Sequence, residues 1–262
     1  MTKSAGKVVL VTGGTGGLGA AMCKGLAEAG HRVVAGTRAE AIAPLHNDGA
    51  GQIQTIQCDL TDPRMCRAAV DHIVNVFGSI DVLVNNAAVG MDVARASTGN
   101  RRVPFYEAGE SLWQSMMDVN VVATFRMAQL VLRHQLARGW GRIINVTTGL
   151  VTMQKEGYAP YGPSKAAVEA ASVIWAKELK GTGVTVNVLT PGGPANTRAI
   201  SSDDFPDRSV LIQPDAMVAP LLWLVSPAAD TVTGRRYQAK LWRPELSVAE
   251  AEAAAGAAAG WA

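Results

Sequence analysis

Tyr161 and Lys165 stand four residues apart in the segment Tyr161-Gly162-Pro163-Ser164-Lys165. At the start of a helix this spacing puts a phenol and an ammonium on one face. A free tyrosine has a pKa of about 10, and an adjacent cation favours the phenolate, bringing proton transfer closer to neutral pH. Such a phenol can give its proton to a carbonyl oxygen as hydride arrives at the carbon, or remove it in the reverse direction. The pair is weak evidence alone, but three other elements accompany it. A hydroxyl pair, Thr147-Thr148, lies just upstream; Asn85-Asn86-Ala87-Ala88 lies mid-chain; and Thr12-Gly13-Gly14-Thr15-Gly16-Gly17-Leu18-Gly19 lies near the start.

The glycine-rich turn follows a continuous apolar run, Val8 to Val11, and precedes a stretch of helical period. Glycines there let the backbone turn tightly and approach a pyrophosphate, whose charge then faces the N–H groups of a helix N-terminus. The spacing Gly13-x-x-x-Gly17-x-Gly19 meets the common dinucleotide fingerprint only in part. The next strand end, Val34 to Arg38, holds no carboxylate for a ribose 2′-hydroxyl, whereas Arg38 can pair with a 2′-phosphate and Thr15 can add a hydroxyl. NADP(H) is therefore favoured over NAD(H), with Arg38 as a plain surface charge the competing reading. Asp59, in Cys58-Asp59-Leu60-Thr61-Asp62, can accept from an adenine amino group, and Asp62 or Thr61 reads as a helix N-cap.

Strands are expected at Val8–Val11, Arg32–Ala35, Gln52–Gln57, Val82–Asn85, Arg142–Val146 and Val184–Leu189. Helices are expected at Ala20–Ala29, Met65–Phe77, Leu112–Arg138 and Ser164–Lys180. This alternation predicts one α/β domain over residues 1–242, a doubly wound Rossmann-type fold with a mostly parallel seven-stranded sheet and helices on both faces. Residues 243–262 are rich in alanine and glycine without an apolar stripe, and are expected to be frayed or partner-supported, with no catalytic role. Two segments, Met91–Gly109 and Asn196–Gln213, lack clear strand or helix character, and the second reads as a mobile lid. In the first, Arg95, Arg101 and Arg102 read chiefly as solvated charges and secondarily as partners for a carboxylate or a CoA phosphate. Met153, Tyr158 and Phe205 are equally readable as pocket lining or packing.

Composition narrows the partners. A length of 262 residues and 48% hydrophobic content suffice for a full core, and a net charge of +2 gives no electrostatic case for nucleic acid or an anionic membrane. Three cysteines without a C-x-x-C pair suit buried thiols in a reducing compartment, and the four scattered histidines make no metal-ligand pattern. No apolar signal region and no 18-residue apolar run occur, so a soluble, cytoplasmic protein is expected.

Taken together these motifs resemble the short-chain dehydrogenase/reductase family over roughly residues 7 to 234, most strongly its 3-oxoacyl thioester and acetoacetyl-CoA reductase branches. The resemblance implies a ketone/alcohol oxidoreductase. Its catalytic set would be Asn120, Thr148, Tyr161 and Lys165: Tyr161 as acid/base, Lys165 lowering its pKa and holding the ribose, Asn120 holding a relay water. It implies a cofactor set of Gly13, Thr15, Gly16, Gly17, Leu18, Gly19, Arg38, Asp59, Leu60, Asn86, Ala87, Ala88, Tyr161, Lys165, Pro191, Gly192 and Thr197, and no metal. It also implies a homo-oligomer, tetramer or dimer, joined through the helices at 112–138 and 164–180. Thr148 occupies the position where the family usually has serine; it keeps the hydroxyl but adds a stiffening methyl. A dinucleotide-binding sensor or scaffold with weak or no turnover is the alternative.

Overall fold

The computed structural model describes residues 6–39, 51–96 and 104–261. In chain order they form β1 (Val8–Thr12), α1 (Gly17–Glu28), β2 (Arg32–Thr37), β3 (Ile53–Gln57), α2 (Pro63–Phe77), β4 (Val82–Asn85) and α3 (Met91–Ala96). There follow α4 (Glu110–Met117), α5 (Ala123–Arg138), β5 (Gly141–Val146), α6 (Leu150–Met153), α7 (Tyr161–Glu178), β6 (Val184–Thr190), α8 (Val218–Val225) and β7 (Arg235–Gln238). The chain closes with α9 (Val248–Ala255) and β8 (Gly256–Ala258).

β1 is buried at all five positions, which requires a neighbour on each edge and a layer on each face. It pairs in parallel with β2 and β4, and the whole sheet runs β3-β2-β1-β4-β5-β6-β7-β8. Successive side chains of a strand point to opposite faces. Val8 and Leu10 accordingly join one core with Val70 and Ile73 of α2 and Met127 and Val131 of α5. Val9 and Val11 join the other, with Met22 and Leu26 of α1 and Leu221 and Leu224 of α8. Each such side chain contributes about 1.5–3 kcal/mol through burial. Asp62 caps α2, accepting from Arg64 N at 2.7 Å and Met65 N at 3.4 Å. All three cysteines are buried and free.

The structure departs from the sequence-based expectations in three places. The helix expected as unbroken over 112–138 is α4 and α5 joined by a π-helical turn, Asp118–Val122. Part of the expected irregular segment 91–109 is helical, as α3 and a short 3₁₀ turn at Phe105–Glu107. Arg101 and Arg102, and the side chain of Arg95, lie outside the described residues.

The third departure concerns the sheet, which has eight strands rather than seven because the tail folds back onto it. α9 opens with a capping box between Ser247 and Glu250. Its small residues Ala251 and Ala255 bury one turn apart, and Ala255 joins the core that holds Tyr237, Trp223 and Trp242. Tyr237 Oη donates to Glu252 Oε1 at 2.9 Å. β8 then pairs antiparallel with β7, covering an edge whose main-chain groups would otherwise lack partners. A Cβ on Gly256 would come within 2.6 Å of Tyr237 Cε1, so only glycine permits this close approach. The tail buries small residues, Ala251, Ala255 and Ala259, because its close packing calls for them, while its larger apolar residues Leu246, Val248 and Trp261 stay at the surface.

Candidate active site

Strand order reverses between β1 and β4, and in open parallel sheets this reversal opens a crevice beyond the carboxyl ends of the strands. The glycine turn lies there. Gly13 has φ +62°, and a Cβ on Gly19 would collide with the Gly13 carbonyl oxygen, so the turn closes only with glycine at both positions. α1 begins with Gly16 as N-cap, with no side-chain cap and no acidic residue in its first turn. Its leading N–H groups are thus left for an anion, as a dinucleotide pyrophosphate requires.

Asn86 serves this turn structurally. Its Nδ2 donates to the Thr12 carbonyl at 2.9 Å and the Gly13 carbonyl at 3.2 Å, while the Thr12 hydroxyl accepts from the N–H groups of Asn86 and Ala87. Asn86 and Ala87 therefore fix the shape of the cradle. On its other flank Thr15 Oγ1 donates to Thr37 Oγ1 at 3.3 Å, beside the exposed Arg38. The Asp59 carboxylate accepts from the N–H and hydroxyl of Thr61, which hold it below its usual pKa, with a smaller contribution from Arg38. Leu60 packs against the core at the head of α2, and its carbonyl accepts from Arg126.

From the opposite side, the segment after β6 reaches over the turn. A Cβ on Gly17 would meet Thr197 Cγ2 at 3.2 Å, and one on Gly16 would meet Arg198 Nη2 at 3.6 Å. Pro191 is buried, and Gly192 packs against Lys240. Arg208 ties the segment together, donating to Asn196 Oδ1 at 2.8 Å, Ile200 O at 2.9 Å and Thr197 O at 2.8 Å. Neither Arg198 nor Arg208 is signalled by a motif, since each acts by folding back over a distant part of the chain.

Tyr161 opens α7, and the Thr148 side chain, two residues beyond β5, faces its phenol. Burial pushes the phenol up to about 12; the Thr148 hydroxyl opposes this, and Tyr158 and Asp92 add to it. Lys165 is 4% exposed, and its Nζ donates to the Val146 carbonyl at 3.0 Å. The influence that lowers the phenol here is the Thr148 hydroxyl.

Asn120 lies on the π turn and is buried. Its Oδ1 accepts from Val89 N at 2.7 Å, and its Nδ2 donates to Val89 O at 3.1 Å and to Ser164 Oγ at 2.9 Å. Ser164 in turn donates to the Tyr161 carbonyl at 2.7 Å. The Asn120 side chain thus ties the first turn of α7 to the loop beyond β4, where Ala88 also lies. Around the phenol, Met91 and Met116 form a small apolar cluster with Val89, Leu112 and Tyr158. Met153 is buried and Phe205 only partly so, and neither joins that cluster.

Lys165 also makes a stability prediction. Desolvation pushes its ammonium down from 10.5 to about 8. Between those values the unfolded chain binds a proton that the folded protein has lost, so stability rises with pH across that window and the penalty is complete below it. That penalty is on the order of 3 kcal/mol, against about 1 kcal/mol for the bond to Val146 O. Lys165→Met is therefore expected to raise the Tm of the cofactor-free protein at pH 7 by about 5 °C. Differential scanning calorimetry from pH 7 to 10.5 checks this, and the variant's curve should be flatter than that of the parent.

The short chain dehydrogenase family model matches residues 7–204, and the chain belongs to that family. A 3-oxoacyl-[acyl-carrier-protein] reductase of Vibrio cholerae is 31% identical, with 87% of this chain and 93% of that protein aligned. An acetoacetyl-CoA reductase of Cupriavidus necator is 29% identical over 87% of this chain and 94% of its own. Among solved structures, a gluconate 5-dehydrogenase from Burkholderia cenocepacia, in complex with NADP and tartrate, superposes with a TM-score of 0.72 at 27% identity, covering 89% of this chain and 92% of that one. The protein is thus an oxidoreductase acting on CH–OH and ketone groups. No helix among the described residues is long and apolar enough to cross a membrane, and none of their His, Cys, Asp or Glu residues group in threes that could hold a metal ion.

Proposed function

We propose that the protein interconverts a ketone and a secondary alcohol with NADP(H), with Tyr161 as the acid/base. The observation that carries this reading is the Thr148 side chain facing the Tyr161 phenol, with the buried Lys165 one turn along α7, beyond the carboxyl ends of the same sheet whose β1 leads into a cradle suited to a pyrophosphate. The dinucleotide supplies the hydride when bound. In the reductive direction the Tyr161 phenol gives its proton to the carbonyl oxygen as that oxygen gains charge. Thr148 Oγ1 donates to the same oxygen and stabilises the charge. Lys165 has two N–H donors left after its bond to Val146 O, enough to hold a ribose. Asn120 and Ser164 fix the start of α7, and the apolar cluster around Tyr158 excludes water from the reacting carbon.

Arg38 and Thr15 support a 2′-phosphate, and the similar gluconate 5-dehydrogenase structure contains NADP. A charge-assisted contact of about 1.5–3 kcal/mol corresponds to roughly 10–100-fold in affinity. Arg38→Ala should therefore lower the NADPH-over-NADH preference by that factor. Arg198→Ala should weaken both cofactors together, because its guanidinium lies over the turn that both share. Fluorescence titration with each dinucleotide separates the two roles.

A 3-oxoacyl thioester is the first substrate to try and keto sugar acids the next, in line with the names of the similar proteins, with small cyclic ketones completing the panel. NADPH oxidation against that panel, with NADH alongside, tests the reading. Tight dinucleotide binding without turnover on any member would overturn it.

A further inference from the structure

Glu169 lies one turn beyond Lys165 on α7 and is fully buried. Its Oε2 accepts from the Thr147 hydroxyl at 2.9 Å. Its Oε1 accepts from the Gly260 N–H at 3.2 Å and stands 3.7 Å from Arg236 Nε. Arg236, on β7, is 3% exposed, and its Nη2 donates to the Thr148 carbonyl at 2.6 Å. The two residues that follow β5 are therefore held from both sides, Thr147 by its side chain and Thr148 by its main chain. Both restraints meet at one carboxylate, and the C-terminal tail supplies its remaining hydrogen bond.

That carboxylate is sensitive to each partner. A buried charge is stable only when its acceptors are filled and a counter-charge is near. Arg236 Nε is buried without a hydrogen bond, and 3.7 Å is an ion pair but not a hydrogen bond. The Gly260 N–H is thus the hydrogen bond that orients Oε1. Without it, Oε1 is free to swing onto Arg236 Nε, drawing the guanidinium from the Thr148 carbonyl and releasing the main chain that aims the Thr148 hydroxyl.

We propose that Glu169 and Arg236 are positioning residues for the Thr148 hydroxyl, and that the C-terminal tail completes the unit through the Gly260 N–H. The proposal rests on the reading of Tyr161 and Thr148 given above. Three proteins test it beside the parent: a chain ended after Ala259, Glu169→Gln, and the two changes combined. Glu169→Gln replaces one acceptor by a donor at nearly constant shape. Kinetics use NADPH and the best ketone of the panel, with NADPH affinity read separately by fluorescence.

In the shortened chain kcat is expected to fall about 10- to 100-fold, the scale of a small misplacement of a reacting group. KM and NADPH affinity should stay within about two-fold. Glu169→Gln should show a similar loss, and the combination little more, because both changes act through one carboxylate. The pH profile of alcohol oxidation carries a signature that a merely structural role would not move. The groups facing the phenol are Thr148, Tyr158 and Asp92, with Lys165 one turn along α7. If Thr148 drifts, the phenol loses the hydroxyl that lowers it and the rising limb moves to higher pH. Unchanged kcat and an unmoved limb in folded Glu169→Gln would overturn the proposal, as would losses in the shortened chain that follow thermal stability alone. A Tyr161→Phe control with full activity would instead remove the underlying reading.

Discussion

Tyr161→Phe is expected to lower kcat for ketone reduction by about 10²–10⁴-fold, the usual contribution of a positioned general acid. NADPH affinity should be nearly unchanged. The ring would keep its apolar neighbours, since Met91, Met116, Val89, Leu112 and Tyr158 contact the same small cluster, and only the hydroxyl is removed. The lost group is the one that Thr148 orients. Burial raises the phenol to about 12, so at neutral pH it is a protonated donor, suited to the reductive direction. Oxidation requires the phenolate, so its rate in the parent should climb with pH, and this climb should vanish in the variant. Stopped-flow measurement of NADPH oxidation, paired with alcohol oxidation from pH 6 to 10, checks both directions. A variant within a few-fold of the parent would show that another group moves the proton.

Much of this site was readable because its parts are local. The four-residue interval from Tyr161 to Lys165, the glycine turn after an apolar strand, and Thr148 at the end of another strand are short-range patterns, and the sheet order then brings them together. The six expected strands all form, each within one or two residues of its expected bounds. What sequence reasoning missed depends on contacts between distant segments. Arg236 reaches Thr148 across 88 positions, and Gly260 reaches Glu169 across 91. Arg198 gains its place over Gly16 only because Arg208 folds the intervening loop. The π turn leaves no break in apolar periodicity, since the helices on both sides continue it. The tail was misread for a related reason: a search for an apolar stripe cannot register Ala251 and Ala255, whose small size is what their position against the core requires.

Thr148 decides how far a threonine can stand in for the serine that the family resemblance leads one to expect. Thr148→Ser should stay within a few-fold of the parent, because the hydroxyl that faces Tyr161 remains and the main chain is still held by Arg236. Thr148→Val keeps the branched shape and removes the donor. It should lower kcat by about 10²–10³-fold, as expected for losing one donor to a developing oxyanion. The β-branch limits χ1, so threonine's methyl can pre-set the hydroxyl at some expense of pocket width. Serine should therefore accept bulkier ketones than threonine while turning over small ones slightly more slowly. The valine variant should also raise the pH needed for alcohol oxidation, because the phenol loses the hydroxyl that lowers it. Measured kcat/KM for both variants on a small and a bulky ketone, each across pH 6 to 10, separates the hydroxyl from the methyl. Full activity in Thr148→Val would move oxyanion stabilisation to a different donor and leave the Arg236 contact with a purely structural role.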